Sequence, residues 1–170
     1  MKKIVIDESN MRFGPYNEED IFQIEKSSLY AELSDKVKIT EFILVKTSQK
    51  INIIEAKSSS PQPEKKVDYK TFIREIYEKF VNTFSLTLAL VLKRFPSEYE
   101  TLPGNLKNID VSKVKCIFIL VIHGHEEKWL PPIQDSLNQL LYPFLKTWAL
   151  DSASVIVMNE EIARRKKLIQ

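Results

Sequence analysis

The sequence predicts a single mixed α/β domain, residues 1–170, in which helices cover both faces of a central sheet. Residues 37–46 and 50–57 are rich in Ile, Val, Phe and Thr. They are separated by a short polar segment, which is typical of two antiparallel strands in a hairpin. The second segment is apolar on both of its faces, which indicates a central strand covered on each side. Residues 68–95 and 132–150 are long amphipathic segments that would supply covering helices.

The remaining elements follow from the same periodicities. Asn17 can cap a helix over residues 18–33, because acidic residues fill its first turn and an apolar stripe follows. The other segments are predicted as a loop at 58–66, an irregular connection at 96–112, strands at 114–122 and 154–158, and a basic terminal helix. The predicted order is therefore helix, two hairpin strands, helix, strand, helix, strand, helix.

The composition limits the class of protein. A length of 170 residues with 44% hydrophobic content suits one domain with a buried core. Lys and Arg number 25 against 23 Asp and Glu, so any nucleic-acid surface must be a local patch. The one cysteine, Cys116, lies in an apolar run and is predicted to be a buried thiol. That run is too short to span a bilayer and the first residues lack a signal-peptide core, so we expect a cytoplasmic protein with no membrane contact.

Three charged residues interrupt the two hairpin strands. Glu55 and Lys57 are two residues apart, so their side chains point to the same face of the second strand. Counting back from a turn near Ser48 places Glu41 opposite Glu55, where Cβ atoms of cross-strand partners are about 4.5 to 5.5 Å apart. Two carboxylates at that separation repel each other, and a hard cation between them removes the repulsion. Mg²⁺ is commonly held by one or two carboxylates, with water and substrate phosphate completing its ligands.

The sequence around these residues resembles a known superfamily. Glu41-Phe42-Ile43-Leu44-Val45, followed by Ile54-Glu55-Ala56-Lys57-Ser58, is similar to the signature of the PD-(D/E)XK nucleases, which share the restriction-endonuclease-like fold. That fold has a helix, a three-strand meander, a helix and a further strand. The resemblance covers roughly residues 18–122. It implies a first meander strand, for which residues 3–6 or 36–39 are candidates.

The resemblance implies an activity and roles for individual residues. Glu41 and Glu55 would hold Mg²⁺, or Mn²⁺, for hydrolysis of phosphodiester bonds in nucleic acid, with DNA favoured, and Lys57 would orient the attacking water or offset developing charge. Glu25 matches a glutamate that many members carry on the helix before the meander. Glu18, Glu19 and Glu32 are alternatives for that position, and a solvated helix glutamate is the ordinary interpretation of Glu25.

Two other functions stay open at this point. The superfamily commonly has Asp and a preceding proline where this chain has Glu41 and Thr40, so a catalytically inactive module that binds nucleic acid or protein on the same fold is one alternative. An unrelated α/β interaction protein is the other. The helix at 132–150, with Trp148, can form a homodimer interface or be buried within the monomer.

Several polar residues are candidates for contacts with nucleic acid or metal. Ser58, Lys70 and Arg74 follow the signature closely enough to contact phosphates, although Lys70 and Arg74 also suit an ordinary solvent-facing helix surface. The segment 123–127, His-Gly-His-Glu-Glu, can be read as a metal-ligand cluster or as the polar exit of a buried strand. The basic residues at 164–167 can contact a nucleic-acid backbone or complement the dipole of a terminal helix.

Overall fold

The structure, a computed structural model, describes residues 2–33 and 36–170. Its strands are β1 (Lys3–Glu8), β2 (Met11–Asn17), β3 (Ile21–Phe22), β4 (Phe42–Thr47), β5 (Lys50–Lys57), β6 (Lys115–Ile122) and β7 (Val155–Asn159). Its helices are α1 (Ser28–Leu33), α2 (Lys66–Val91), α3 (Pro96–Thr101), α4 (Gly104–Lys107), α5 (Leu130–Thr147) and α6 (Glu160–Arg165).

A five-stranded sheet, ordered β3-β4-β5-β6-β7, forms the centre of the fold. β4 is antiparallel to both of its neighbours, β3 and β5, whereas β5, β6 and β7 are parallel. The hairpin between β4 and β5 pairs Thr47 with Lys50, which confirms the short turn expected there. α2 connects the parallel strands β5 and β6, and α5 lies between β6 and β7. The mixed α/β class is confirmed.

Two long helices cover one face of this sheet. The inward-facing residues of α2 and α5 recur at three- and four-residue spacing, as an amphipathic helix requires. They pack against apolar side chains of β4, β5, β6 and β7 in one continuous core. The fully or almost fully buried helix residues of this core are Ile76, Phe80, Phe84, Ile133, Leu137, Leu141 and Leu145.

The other face of the sheet is covered mainly by a second hairpin, β1–β2, which differs from the predicted helix on each face. Ser9 and Asn10 have positive φ values of 50° and 62°, as a two-residue type I′ turn requires. Phe13 is fully buried and its ring contacts that of Phe42 edge-on. The carboxy-terminal segment completes this layer, with Ala163 of α6 in the same core. A β-hairpin can bury one face against a sheet as a helix does, and the two give similar apolar patterns over so few residues.

The helix predicted over residues 18–33 is wrong. The segment contains 3-10 turns at Glu18–Asp20 and Ile24–Lys26, the short strand β3, and α1 at its end. Ile21 and Phe22 pair with Leu44 and Ile43 at the edge of the sheet, so tertiary pairing overrides the helical spacing of the apolar residues. β3 is therefore the strand that precedes the hairpin, and neither segment 3–6 nor segment 36–39 fills that place.

The connection between α2 and β6 is also more regular than expected. It was predicted to be irregular over 96–112, but it contains α3 and α4, and it buries Leu102, Leu106 and Ile109. Cys116 is buried, and burial raises the pKa of its thiol to about 12. Among the described residues, no helix has both the length and the apolar character needed to cross a membrane.

Replacement of Phe80 by alanine tests the core beneath α2. The Phe80 ring is fully buried and lies 5.4 Å from the ring of Phe118, centroid to centroid. Phe80→Ala should lower the free energy of unfolding by about 3 to 5 kcal/mol in urea denaturation, because it leaves a cavity against β6. Tyr142→Ala, at an exposed position of α5, should change it by no more than about 0.5 kcal/mol. Equal losses for the two variants would contradict this account of the core.

Candidate active site

Glu41 and Glu55 lie next to each other where β4 begins and β5 ends. Phe42 pairs with Ile54, so Glu41 and Glu55 are the next residues along the two strands. The backbone N–H of Glu41 donates to the carbonyl of Ile54 at 3.1 Å, which fixes Glu41 against β5. Glu55 is fully buried, whereas 17% of the Glu41 side chain is exposed. One carboxylate is therefore beneath the surface and the other reaches it.

The ammonium group of Lys79, on α2, lies between the two carboxylates. Its Nζ donates to Glu55 Oε1 at 2.7 Å and lies 3.7 Å from Glu41 Oε1. Glu55 Oε2 is buried and has no hydrogen-bond partner among residues 2–33 and 36–170. A buried carboxylate is costly unless it is paired, so Lys79 compensates one oxygen of Glu55 and leaves the other without a partner.

Lys57 occupies the outer end of the same sheet face. Its Nζ donates to Glu75 Oε1 at 2.7 Å and lies 3.5 Å from Glu55 Oε1. Glu75 lies one helical turn before Lys79 on α2. This helix therefore supplies a carboxylate that faces Lys57 and an ammonium group that faces Glu55. The structure thus brings together Glu41, Glu55 and Lys57.

A pair of buried threonines docks the start of β4 onto α2. The backbone N–H of Thr40 donates to Thr83 Oγ1 at 2.8 Å, and the two hydroxyls are 3.2 Å apart. Asn82 Nδ2 donates to the carbonyl of Lys38 at 3.0 Å. These bonds fix the residue that precedes Glu41, and so they set the position of Glu41 relative to Lys79. Thr40 is thus a docking residue at the position where the resembled signature has proline.

The electrostatic environment shifts the pKa of each central group. Burial raises the pKa of Glu55 to about 7, with Glu41 adding repulsion, and Lys79 offsets only part of this shift. Burial also raises the pKa of Glu41, although Lys79 again opposes the change. Burial by itself would lower the pKa of Lys79, but Glu55, Glu41 and Glu75 together raise it. The hydrogen bond from Lys57 lowers the pKa of Glu75.

Two further acids lie within electrostatic range of Glu41. The charges of Glu8, at the end of β1, and Glu25 both raise its pKa. Glu25 is exposed and belongs to the 3-10 turn Ile24–Lys26, so the mid-helix position predicted for it is wrong, although it lies near the site. Glu18, an alternative to Glu25, instead pairs with Lys2 at 2.7 Å. A catalytic role for Glu25 stays a prediction.

The three predicted nucleic-acid contacts are divided between two surfaces. Ser58 is exposed immediately after Lys57 and lines a pocket beside the site. Lys70 and Arg74 line a groove between α2 and α5. Because successive helix residues are rotated by about 100°, that side of α2 is away from Glu75 and Lys79. Placement of Lys70 and Arg74 beside the acids is therefore wrong, and their contact with nucleic acid stays a prediction.

The two histidines that follow β6 have separate partners. His123 Nε2 lies 3.1 Å from Glu160 Oε2, and His125 Nε2 lies 3.3 Å from Ser60 Oγ. Asn159 Nδ2 donates to the backbone carbonyl of His125 at 2.9 Å. Burial lowers the pKa of His125. The two histidines therefore belong to a hydrogen-bonded polar loop that follows β6.

The residues that sequence reasoning missed are Lys79, Glu75 and Glu8. Glu75 and Lys79 each precede a buried residue of the apolar stripe of α2, namely Ile76 and Phe80. Their spacing of four residues places them on one edge of that stripe, and this edge lies beside β5. The spacing was visible in the sequence, but which edge faces the acids depends on how the helix docks. No sequence pattern indicated Glu8 as a site residue, because the β1–β2 hairpin that positions it was not predicted.

The acids fit a hard cation in number and in type of donor. Mg²⁺ is commonly held by one or two protein carboxylates. Oε2 of Glu55, which has no hydrogen-bond partner among the described residues, is an oxygen that can serve as a metal ligand. Over residues 2–33 and 36–170, no group of three or more His, Cys, Asp or Glu side chains is arranged to hold a metal ion. The difference from the predicted site is the Lys79 ammonium, which already neutralises part of the pair.

The chain matches no protein-family model, no curated protein and no solved structure.

The raised pKa of Glu55 predicts a pH dependence of stability. The folded chain binds the proton more tightly than the unfolded chain, whose glutamate pKa is near 4.5. Stability from this group is therefore fully present below pH 4.5 and is lost as the pH rises through about 7. Relative to Glu55→Gln, the wild-type free energy of unfolding should fall by about 3 kcal/mol across this interval in urea denaturation.

A matched substitution on α2 controls for other titrating groups. Glu78 is partly exposed and pairs with Lys38 at 3.3 Å, outside the acidic pair. The difference between wild type and Glu78→Gln should change little with pH. A difference between wild type and Glu55→Gln that is also constant from pH 4.5 to 8 would show that Glu55 titrates as an ordinary glutamate.

Proposed function

We propose that this protein is a metal-dependent nuclease that hydrolyses phosphodiester bonds of nucleic acid, with DNA favoured over RNA. The observation that carries the proposal is the buried carboxylate of Glu55, which lies beside Glu41 and Lys57 on one sheet face and has one oxygen without a hydrogen-bond partner in the part of the chain that the structure describes. An ionised carboxylate beneath the surface costs free energy, and binding of a cation to that carboxylate offsets the cost. Glu41 and Glu55 would hold Mg²⁺ or Mn²⁺.

The order of elements supports the proposal. β3, β4 and β5 form an antiparallel meander, α2 follows, and β6 returns parallel to β5. This order resembles the meander, helix and strand order of the restriction-endonuclease-like core, with Glu41 immediately before the second meander strand and Glu55 and Lys57 in the third. The helix that precedes the meander in that core has no counterpart before β3, where the chain forms the β1–β2 hairpin.

Each residue of the site has a definite task in this proposal. A bound divalent ion polarises the phosphate and lowers the pKa of a water ligand. Lys57, held by Glu75, orients the attacking water or offsets charge that develops on the phosphate oxygens. Thr40 and Thr83 keep Glu41 within reach of Glu55. The Lys79 ammonium holds the acidic pair together before a cation binds.

Cleavage assays with single variants test the assignment. With Mg²⁺ or Mn²⁺ present, the wild type should cleave linear, circular or single-stranded DNA or RNA, and chelator should abolish cleavage. Glu55→Gln and Lys57→Ala should each lower the rate at least about 100-fold, since the first removes a metal ligand and the second removes positive charge at the reacting phosphate. Only Glu55→Gln should also weaken Mg²⁺ binding in calorimetry, because Lys57 is not a ligand.

Two variants serve as controls for charge and for folding. Lys46→Ala removes an exposed lysine from β4, and Glu78→Gln removes a carboxylate from α2 near Lys79. Both should cleave at the wild-type rate and show wild-type circular dichroism. Absence of cleavage on every substrate, or cleavage that survives Glu55→Gln and Lys57→Ala together, would argue against a nuclease site here.

The Lys79 ion pair favours a second candidate, a catalytically inactive module that binds nucleic acid or protein on the same fold. An ammonium at 2.7 Å from Glu55 Oε1 already supplies positive charge at the place where a cation is needed. If Lys79 is the permanent partner of the pair, the buried acid is a structural element. Such a protein has no need for metal.

Replacement of Lys79 by methionine separates the two candidates. A bound cation and the ammonium compete for the same carboxylate oxygens, so a nuclease with Lys79→Met should bind Mg²⁺ about tenfold more tightly in calorimetry. If the protein is instead an inactive module, the wild type should bind no Mg²⁺ in the same calorimetry. Folding of the variant is checked by thermal unfolding at pH 5, where Glu55 is protonated and its loss of a partner costs least.

A further inference from the structure

A pocket of about 500 Å³ lies at the edge of the sheet where β5 and β6 end. The loop that follows β5 forms one wall, and the segment that follows β6 forms the other. Carboxyl ends of parallel strands meet at one edge, which is where open α/β sheets commonly bind ligands. The lining includes Ser58, Ser60, Gln62, His123, His125 and Trp129.

This pocket adjoins the acidic site. The backbone N–H of His123 donates to the carbonyl of Lys57 at 2.9 Å, so the pocket wall is bonded directly to the site lysine. Ser59 and Ser60 line the pocket and also an adjoining depression that contains Glu75, the partner of Lys57. A strand with its phosphate at Lys57 can therefore place a neighbouring nucleotide in the pocket.

Trp129 gives the pocket an aromatic surface. The residue is 40% exposed, and the ring of His125 packs against it edge-on at 5.4 Å between centroids. Lys128 Nζ lies 5.3 Å from the centroid of the same indole. Held in place by these neighbours, the indole keeps part of its surface open to solvent. An exposed aromatic ring with neighbouring hydroxyl, amide and imidazole groups matches the chemistry of a nucleobase, which has an apolar face and polar edges.

We propose that this pocket binds one unpaired nucleobase of the substrate strand, stacked on Trp129, with its edge toward Ser60 and His125. The nucleic-acid class of the ligand rests on the proposed function. A base within a duplex must first be unstacked and unpaired, which costs free energy, so the favoured substrate is single-stranded nucleic acid, a flap or a frayed end. Stacking accepts any base, so the pocket selects strand state and not sequence.

Fluorescence of Trp129 tests this directly. The chain has two tryptophans, so Trp148→Phe leaves Trp129 as the indole reporter. With chelator present to prevent hydrolysis, a single-stranded oligonucleotide should quench this emission, and the same sequence as a blunt duplex should quench it little. A nucleoside monophosphate should itself quench this emission and displace a labelled single strand in anisotropy, whereas ribose 5-phosphate, which lacks a base, should do neither.

Variants of Trp129 measure the contribution of stacking. Trp129→Ala should weaken binding of a labelled single strand about tenfold in anisotropy, and Trp129→Phe should retain most of the affinity because it keeps an aromatic face. Tyr142→Ala, which removes another exposed aromatic residue from α5, should bind as wild type. Thermal unfolding checks that Trp129→Ala is folded.

The outcomes separate this inference from the nuclease proposal. Quenching by single strands that persists in Glu55→Gln supports the base site, even if no cleavage is found with any substrate. Equal affinity for duplex and single strand, unchanged binding by Trp129→Ala, or equal competition by ribose 5-phosphate overturns the base site. Those results leave the nuclease proposal standing if cleavage still depends on Glu55 and Lys57.

Discussion

The burial of one carboxylate, that of Glu55, is the constraint on which the rest of the site depends. A central strand covered on both faces has no water to solvate an ionised side chain, so partners must come from neighbouring elements. α2 supplies Lys79, and the end of β5 itself supplies Lys57. The contact of Lys79 with Glu55 and that of Glu75 with Lys57 require α2 to cross β5 in one fixed rotation. The same rotation directs Phe80 into the core, so the packing of the helix and the charge of the site are set together.

The parallel connection from β5 to β6 explains why a pocket adjoins this site. β5 and β6 pair in register from Lys50 with Lys115 to Lys57 with Ile122, so both strands end at the same edge. The chain must leave that edge twice, once to enter α2 and once to enter α5. The two exit segments face each other and carry serine, histidine and tryptophan. The acids belong to the sheet, whereas the pocket proposed to bind a base belongs to the loops, a division common in α/β proteins.

The sequence predicts structure well where a short-range pattern determines it. It does not predict contacts that depend on how one element packs against a distant one. The alternation of side chains along a strand and a short turn near Ser48 predict that Glu41 lies opposite Glu55, and the structure places the two residues next to each other. Mid-chain periodicity likewise identified α2 and α5. The segment around Ile21 and Phe22 has helical spacing, yet these residues pair with β4, a long-range contact that spacing cannot report. Lys79 went unnoticed for the same reason, because only the rotation of α2 on the sheet turns it from a surface lysine into a partner of Glu55.

The balance of charge at the site links the proposed nuclease activity to the proposed base pocket. Glu41, Glu55 and Glu75 face two ammonium groups, those of Lys57 and Lys79, so with all five ionised the cluster carries one net negative charge. Glu8 and Glu25 add to the negative field. Such a cluster repels a phosphate, whereas a divalent cation reverses its sign and makes phosphate binding favourable. A nucleic-acid strand that approaches before the cation is bound gains little binding free energy from its phosphates. Stacking of a base on Trp129 does not depend on that field, which is why the aromatic pocket suits the first contact and the acidic pair suits the second.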